Sequence, residues 1–123
     1  MCYKKFPQKK TWPAALDDCK NNGGDLAHAK DQETNNFLKT LWDMPPRTPH
    51  PKRQFWLGGS SIEEGVWKWT DSTAFDETNW APGRPTSRTD EDEDYLFIKR
   101  DGKWVDVKPK TQQRAYFCQK NRE

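Results

Sequence analysis

A long apolar run is the first thing that this sequence lacks. Its mean hydropathy is −1.25, and 33% of its residues are charged. No apolar stretch approaches the roughly 18 residues that a membrane-spanning helix needs, so direct membrane insertion is not expected. The first residues also lack the basic-then-apolar form of a signal peptide.

The length of the chain predicts a single domain over residues 1–123, and it suffices to bury a core.

Cysteine is scarce. The three cysteines, Cys2, Cys19 and Cys118, do not have the Cys-x-x-Cys spacing of zinc or redox sites. A disulfide is therefore the expected use of two of them, which favours an oxidising, extracellular setting. A bridge between Cys19 and Cys118 would close a loop of about 100 residues and stabilise the fold by roughly 4 to 5 kcal/mol in the loop-entropy description.

An excess of charge of one sign is also missing. The chain has 21 Lys and Arg against 19 Asp and Glu, and the lysines are interspersed with acids. Nothing in this pattern indicates a nucleic-acid partner.

No Ser/His/Asp or Cys/His combination is recognisable, and the carboxylates of residues 90–94 lack an apolar setting that would separate their pKa values. We therefore do not expect an enzyme.

Large aromatic side chains are abundant instead. Seven Trp and six Phe must supply much of the core. Residues 55–59 form an uninterrupted apolar or small run, which predicts a buried central strand, and residues 66–69 predict a half-buried neighbouring strand. The polar residues 60–65 between them predict a turn.

Two helices are predicted in the N-terminal half. Thr11 can cap a helix that begins at Trp12 and is stopped by the Gly23-Gly24 pair. Asp31 can cap a second helix over residues 32–42. The apolar positions of the two helices are Trp12, Leu16 and Cys19 in the first and Phe37, Leu38, Leu41 and Trp42 in the second.

Short strands and two long loops account for the rest of the chain. An edge strand ended by Pro7, a hairpin with its turn at Asp101-Gly102 and a last strand are predicted over residues 2–6, 95–107 and 115–119. Four prolines within residues 43–53 predict an exposed basic loop. The long segment 71–94 is of a kind that usually carries function.

Motifs along the whole chain resemble those of the C-type lectin-like domain, in the family's order and spacing. The matching motifs are Cys2-Tyr3, Thr11-Trp12 with Cys19, Gly23-Gly24-Asp25-Leu26, Asn35-Asn36-Phe37-Leu38, Trp56-Leu57-Gly58-Gly59, Gly65-Val66-Trp67-Lys68-Trp69, Asn79-Trp80, Gly83, Pro85, Trp104-Val105-Asp106 and Tyr116-Phe117-Cys118. The resemblance implies an α+β fold with two helices, two small antiparallel sheets and a long loop region that carries ligand sites.

The resemblance also implies how the cysteines are used. It pairs Cys19 with Cys118. The family's second disulfide would join the positions held here by Tyr95 and Pro109, so both of its cysteines are absent together. Cys2 stands where longer family members have the second cysteine of an N-terminal hairpin. We therefore expect Cys2 to be free or to crosslink two chains into a homodimer.

The calcium and sugar motifs of the family are altered in this sequence. Calcium-dependent sugar binders of the family carry Glu-Pro-Asn or Gln-Pro-Asp in the long loop and Trp-Asn-Asp on the following strand. These oxygens hold a Ca²⁺ that takes two sugar hydroxyls. Here the motifs read Arg84-Pro85-Thr86 and Trp104-Val105-Asp106. Because Arg84 would place a guanidinium at the metal position, charge repulsion opposes Ca²⁺ and no cofactor is expected there.

Two further metal sites are alternatives. Glu64, Glu93 and Asp94 match a second calcium position of some family members, although serine replaces two of its acids. The acidic run at residues 90–94 is otherwise expected to be solvated or to pair with nearby arginines. His28 and His50 could ligate zinc but share no ligand spacing.

Two functions remain open from the sequence. The first is an extracellular recognition module that binds a protein or glycan ligand without calcium. The second is a carbohydrate-binding lectin that uses aromatic and polar side chains, or another metal such as zinc.

In either case the ligand surface is expected within residues 79–94 and 104–108. Trp80 is expected chiefly to pin the loop to the core, and Arg84 to reach Glu93 or Asp106 and hold the loop without calcium. The candidate contacts are Trp80, Arg84, Thr86, Arg88, Glu93 and Asp106.

Overall fold

The computed structural model describes residues 2–43, 54–63, 66–84, 94–107 and 112–121. The helices are α1 (Trp12–Asn21) and α2 (Gln32–Asp43). The strands are β1 (Cys2–Lys10), β2 (Asp25–Leu26), β3 (Phe55–Glu63), β4 (Val66–Trp69), β5 (Asp94–Ile98), β6 (Trp104–Val107) and β7 (Arg114–Lys120). Within these ranges no helix is both long and apolar enough to cross a membrane.

The strands form two antiparallel groups that join into one hydrogen-bonded network. In the first group β7 pairs with β1 and β2. In the second, β3 pairs with β4 and β5, and β5 pairs with β6. A short parallel pairing of Phe55 with Ala115 and of Trp56 with Tyr116 joins β3 to β7. The two small antiparallel sheets are thus present, and they are continuous through this contact.

Both helices begin at the predicted caps. The amide of Ala14 donates to Thr11 Oγ1 at 3.3 Å, and the amide of Thr34 donates to Asp31 Oδ1 at 2.7 Å. Such bonds satisfy amides that have no partner within the helix. Helix α1 buries Trp12, Ala15 and Cys19, whereas Leu16 is only half buried.

The core consists of two aromatic-rich clusters. One contains Phe55, which stacks on Phe117 with ring centroids 4.5 Å apart. The other contains Trp56, Tyr95 and Tyr116 beside the Cys19–Cys118 disulfide, which confirms the predicted pairing. Cys2 is an exposed free cysteine. Large aromatic rings thus contribute to both clusters.

Three local predictions differ from the structure. Ser60 and Ser61 belong to β3 and are 5% exposed, because pairing with β4 and β5 continues through them. Strand β1 does not end at Pro7 and reaches Lys10, with a shift in register after Phe6 that accommodates the proline. Phe37 is 46% exposed and contacts Tyr3 at the helix surface. Residues 44–53 of the predicted basic loop lie outside the described ranges.

Buried hydrogen bonds tie helix α2 to the hairpin of β5 and β6. Trp104 Nε1 donates to Asn35 Oδ1 at 2.8 Å, and Asn35 Nδ2 donates to the Gly102 carbonyl oxygen at 3.0 Å. Gly102 has a φ of +85° in the predicted turn, a conformation that favours glycine. The side-chain Nδ2 of Asn79 donates to the same carbonyl oxygen at 2.6 Å. Three separate segments therefore meet at one polar centre.

We expect Asn35→Ala to destabilise the fold by about 2 to 3 kcal/mol, because it leaves the buried Trp104 Nε1–H and the Gly102 carbonyl without this partner. The matched control is Asn36→Ala, which removes the neighbouring exposed amide and should cost about 0.5 kcal/mol or less. Urea unfolding measures both changes. Equal midpoints for the two variants would contradict the importance of this network.

Candidate functional site

The start of the long loop is held against β6. The amide of Trp104 donates to the Asn79 carbonyl oxygen, and the amide of Ala81 donates to the Trp104 carbonyl oxygen, each at 2.9 Å. Gly83 then has a φ of +79°, and the amide of Arg84 donates to the Ala81 carbonyl oxygen at 3.0 Å. This turn directs the chain back to β6 two residues beyond Trp104.

Arg84 and Asp106 form an ion pair at that point. The Nη1 of Arg84 donates to Asp106 Oδ1 and to the Asp106 carbonyl oxygen, both at 3.3 Å. The side chain of Asp106 is 1% exposed and that of Arg84 is 36% exposed. A buried carboxylate needs a compensating charge or donors because it has lost its hydration. The guanidinium supplies both, and Arg84 reaches Asp106 as the sequence predicts.

Trp80 lies in an aromatic cluster beneath this segment. Its half-buried ring has its centroid 5.0 Å from that of Trp67 and 5.6 Å from that of Trp104, both edge to face. Phe75 completes the cluster at 6.1 Å. These are favourable aromatic geometries. Trp80 therefore pins the loop segment to the core.

Asp94 also lies within the described ranges. Its side chain is buried on β5, where the residue is paired with Ser61 of β3. Across the described part of the chain, no three His, Cys, Asp or Glu side chains are grouped as a metal site would require. The other predicted ligand-binding or metal-binding residues lie outside the described ranges: Glu64, Thr86, Arg88 and Glu93, together with His50.

The sequence analysis missed a buried polar network around His28. His28 Nε2 is hydrogen-bonded to the hydroxyl oxygen of Thr70. That hydroxyl in turn donates to Asp25 Oδ2 at 2.7 Å. On the other side of the ring, Gln119 Nε2 lies 3.3 Å from His28 Nδ1. Only the i, i+3 spacing of Asp25 and His28 hinted at this arrangement, because Thr70 and Gln119 are distant in sequence.

Burial, opposed by nearby carboxylates, sets the protonation of His28. Burial lowers the pKa of His28 from its ordinary value, and the carboxylates of Asp25 and Asp71, each 3.7 Å from a ring nitrogen, oppose this without reversing it. For Asp71, burial favours a raised pKa, but the paired Lys30 ammonium and two hydrogen bonds from Thr73 outweigh it and hold the pKa well below its usual range. His28 is therefore neutral at pH 7.

The sequence matches the family model of the lectin C-type domain over residues 8–120. The chain belongs to the C-type lectin domain family. The matched region includes both helices, the Cys19–Cys118 disulfide and the segment that carries Arg84 and Asp106. The family that the sequence motifs indicated is confirmed.

Relatives of this C-type lectin domain include proteins of very different length. A perlucin-like protein from Mytilus galloprovincialis is 31% identical over 119 residues, which span 95% of this chain and 74% of that protein. An alpha-N-acetylgalactosamine-specific lectin from Patiria pectinifera is 32% identical over 86% of this chain and 66% of its own length. The versican core protein of Rattus norvegicus is 31% identical over 97% of this chain, which spans only 4% of that protein.

Solved structures share the fold. One, described as a calcium-independent type II antifreeze protein, has a TM-score of 0.77 and 28% identity, and the match covers 95% of this chain and 83% of that one. The α+β fold of the C-type lectin type is thereby confirmed for this chain.

The stability of this domain should fall as the pH falls below 6.5. Because the folded state lowers the pKa of His28, the unfolded state binds the proton more readily between 6.5 and the folded-state pKa. The loss can reach about 1.4 kcal/mol per pH unit. Urea unfolding at several pH values between about 7.5 and 5 measures the free energy of unfolding. Its fall with falling pH should be smaller for His28→Asn than for the unaltered domain, and His50 is present in both. An equal fall in the two proteins would contradict this.

Proposed function

We propose that this C-type lectin domain is an extracellular, non-enzymatic recognition module that binds a protein or glycan ligand without calcium at the family's metal position. The ion pair between Arg84 and Asp106 is the observation that carries this proposal. Arg84 stands at the position of the first acid of the family's calcium motif. It pairs with Asp106, the acid of that site that remains on β6.

Electrostatics supports the exclusion of calcium. A Ca²⁺ needs six to eight oxygen ligands, mainly carboxylates and carbonyls. In this chain a guanidinium contacts both the side-chain and main-chain oxygens of Asp106. A divalent cation at the same carboxylate would have to displace Arg84 and then lie near its charge. The residues present do not fit the family's calcium ion.

The ligand surface that we propose lies beside this ion pair. Arg84 is partly exposed, and its guanidinium offers several donors for a carboxylate, a carbonyl oxygen or a sugar hydroxyl. Trp80 is half buried and keeps its backbone against β6. Thr86, Arg88 and Glu93 remain candidate contacts from the sequence.

The second candidate is a carbohydrate-binding lectin that uses aromatic and polar contacts or another metal such as zinc. The lectin from Patiria pectinifera, which is named for alpha-N-acetylgalactosamine, favours a sugar as the ligand. A glycan array probed with EDTA, then with Ca²⁺ and then with Zn²⁺ separates the two functions. Binding that needs Zn²⁺ would favour the second function. Absence of glycan binding under all three conditions would favour a protein ligand, which only the first function includes.

Calorimetric titration with Ca²⁺ should give no saturable binding up to about 1 mM. As a positive control, the Arg84→Glu/Thr86→Asn/Val105→Asn variant restores the family's oxygen ligands and should gain measurable affinity. Low-micromolar binding of Ca²⁺ by the unaltered domain would overturn the proposal.

Replacing Arg84 with Ala should loosen the loop without unfolding the domain. Because Asp106 is buried, the loss of this partner should lower the free energy of unfolding by roughly 1 to 3 kcal/mol, which leaves the domain folded with a lower melting temperature. Hydrogen exchange of the amides of residues 79–84 should also become faster, because the side chain no longer holds the turn against Asp106. Lys20→Ala is the charge-matched control on α1. Equal exchange in the two variants would refute a role of Arg84 in holding the loop.

A further inference from the structure

The fold gathers basic strands that are far apart in the sequence. Strand β1 contains four lysines and no acid, and β7 contains Arg114 and Lys120 and no acid. The two strands pair from Cys2 opposite Lys120 to Lys10 opposite Arg114. Charges that look interspersed along the sequence are thus concentrated at the β1 end of the sheet. We call Lys4, Lys9, Lys10, Arg114 and Lys120 the basic ribbon.

No carboxylate among the described residues pairs with the basic ribbon. None of its five cations forms a salt bridge there. Lys5, the remaining lysine of β1, is excluded from the ribbon because its buried ammonium donates to the Trp42 carbonyl oxygen at 3.3 Å. Asp18 of α1 approaches β7 but accepts a hydrogen bond from the Tyr116 hydroxyl. The ribbon therefore keeps a net positive field.

Arg114, at one end of the ribbon, has a preorganised donor. Its guanidinium lies 4.3 Å from the ring centroid of Phe97 and 4.8 Å from that of Trp56, and its Nε donates to Gln54 Oε1 at 2.8 Å. The buried Nη1 has no hydrogen-bond partner in the described part of the chain. Burial lowers the pKa of Arg114 to about 10, so the group stays charged at neutral pH. Because the residue as a whole is only half buried, its charge can still attract an anion at the surface.

The other end of the ribbon borders a groove of about 390 Å³. Lys4 and Lys120 line it, and no acidic residue does. The ammonium of Lys4 lies 5.2 Å above the ring of Phe6, which stacks on Tyr116 with a centroid distance of 5.1 Å. This end of the ribbon therefore offers two ammonium groups beside a stacked aromatic pair.

We propose that the basic ribbon is a second ligand surface, which binds an anionic polysaccharide chain through its sulfate or carboxylate groups. Lys4 and Lys10 are six positions apart in the strand, so the cations extend over about 20 Å. An extended chain with repeated charges can contact both ends of such a ribbon at once, including the groove and Arg114. Strands β1 and β6 lie at opposite ends of the strand order, so the lysines of β1 are separate from Arg84 and Asp106.

The test compares two triple variants on immobilised heparin, a sulfated polysaccharide. Lys4→Gln/Lys9→Gln/Lys120→Gln removes three exposed cations of the ribbon, and Lys39→Gln/Lys99→Gln/Lys103→Gln removes three lysines elsewhere. The net charge changes equally. We expect the ribbon variant to bind at least about tenfold more weakly than the unaltered domain, with a smaller salt dependence, and the control variant to be nearly unchanged. Thermal unfolding checks that both variants are folded.

Three results would overturn the proposal. The unaltered domain could fail to bind heparin at low salt, or the two triple variants could weaken binding equally, which would make net charge the cause. Poly-glutamate or single-stranded DNA could also compete as well as heparin at equal charge concentration, which would show a surface without preference for a polysaccharide. Retained binding by the control variant, with weak competition by both polymers, supports it.

Discussion

The hydrogen bond from Trp104 to Asn35 is the contact on which the rest of the site depends. It fixes β6 to helix α2 in a buried environment, where an unmet donor would be costly. The backbone of the same tryptophan receives and donates the bonds that hold residues 79–81 in place. Its ring packs against Trp80 and Phe75. One residue therefore sets the position of both the loop and the strand that follows it.

This arrangement explains why Arg84 meets Asp106. The parallel contact with β6 sets the start of the loop, and the turn at Gly83 returns the chain to β6 two residues later. Asp106 is then buried by the strand, and the guanidinium compensates for its lost hydration. We propose that a side-chain cation has here replaced the metal as the group that holds the loop. The side chain of Arg84 remains partly exposed beside this pair.

Much of the fold was predictable, since local signals and family motifs agreed. The Thr11 and Asp31 caps, the Asp101-Gly102 turn and the Cys19–Cys118 pairing are as expected, and so is the anchoring of Trp80. The local predictions that were wrong share a cause, because the structure at those positions depends on partners that are distant in sequence. Ser60 and Ser61, for example, belong to β3 because they pair with β4 on one side and with β5 on the other.

The functional features that the sequence did not reveal are also long-range. One contact in the network of His28 joins two residues that are 91 positions apart in the sequence. The basic ribbon exists only because the first and last long strands pair with each other. Counting charges along the chain could not distinguish that ribbon from interspersed lysines, because separation in sequence hides proximity in the sheet.

A crystal structure determined after soaking in Ca²⁺ tests most directly whether Arg84 takes the place of the cation. We expect the guanidinium within hydrogen-bonding distance of the Asp106 carboxylate and no anomalous scattering peak beside it. A calcium ion bound to Asp106, with the side chain of Arg84 turned away into solvent, would contradict the replacement.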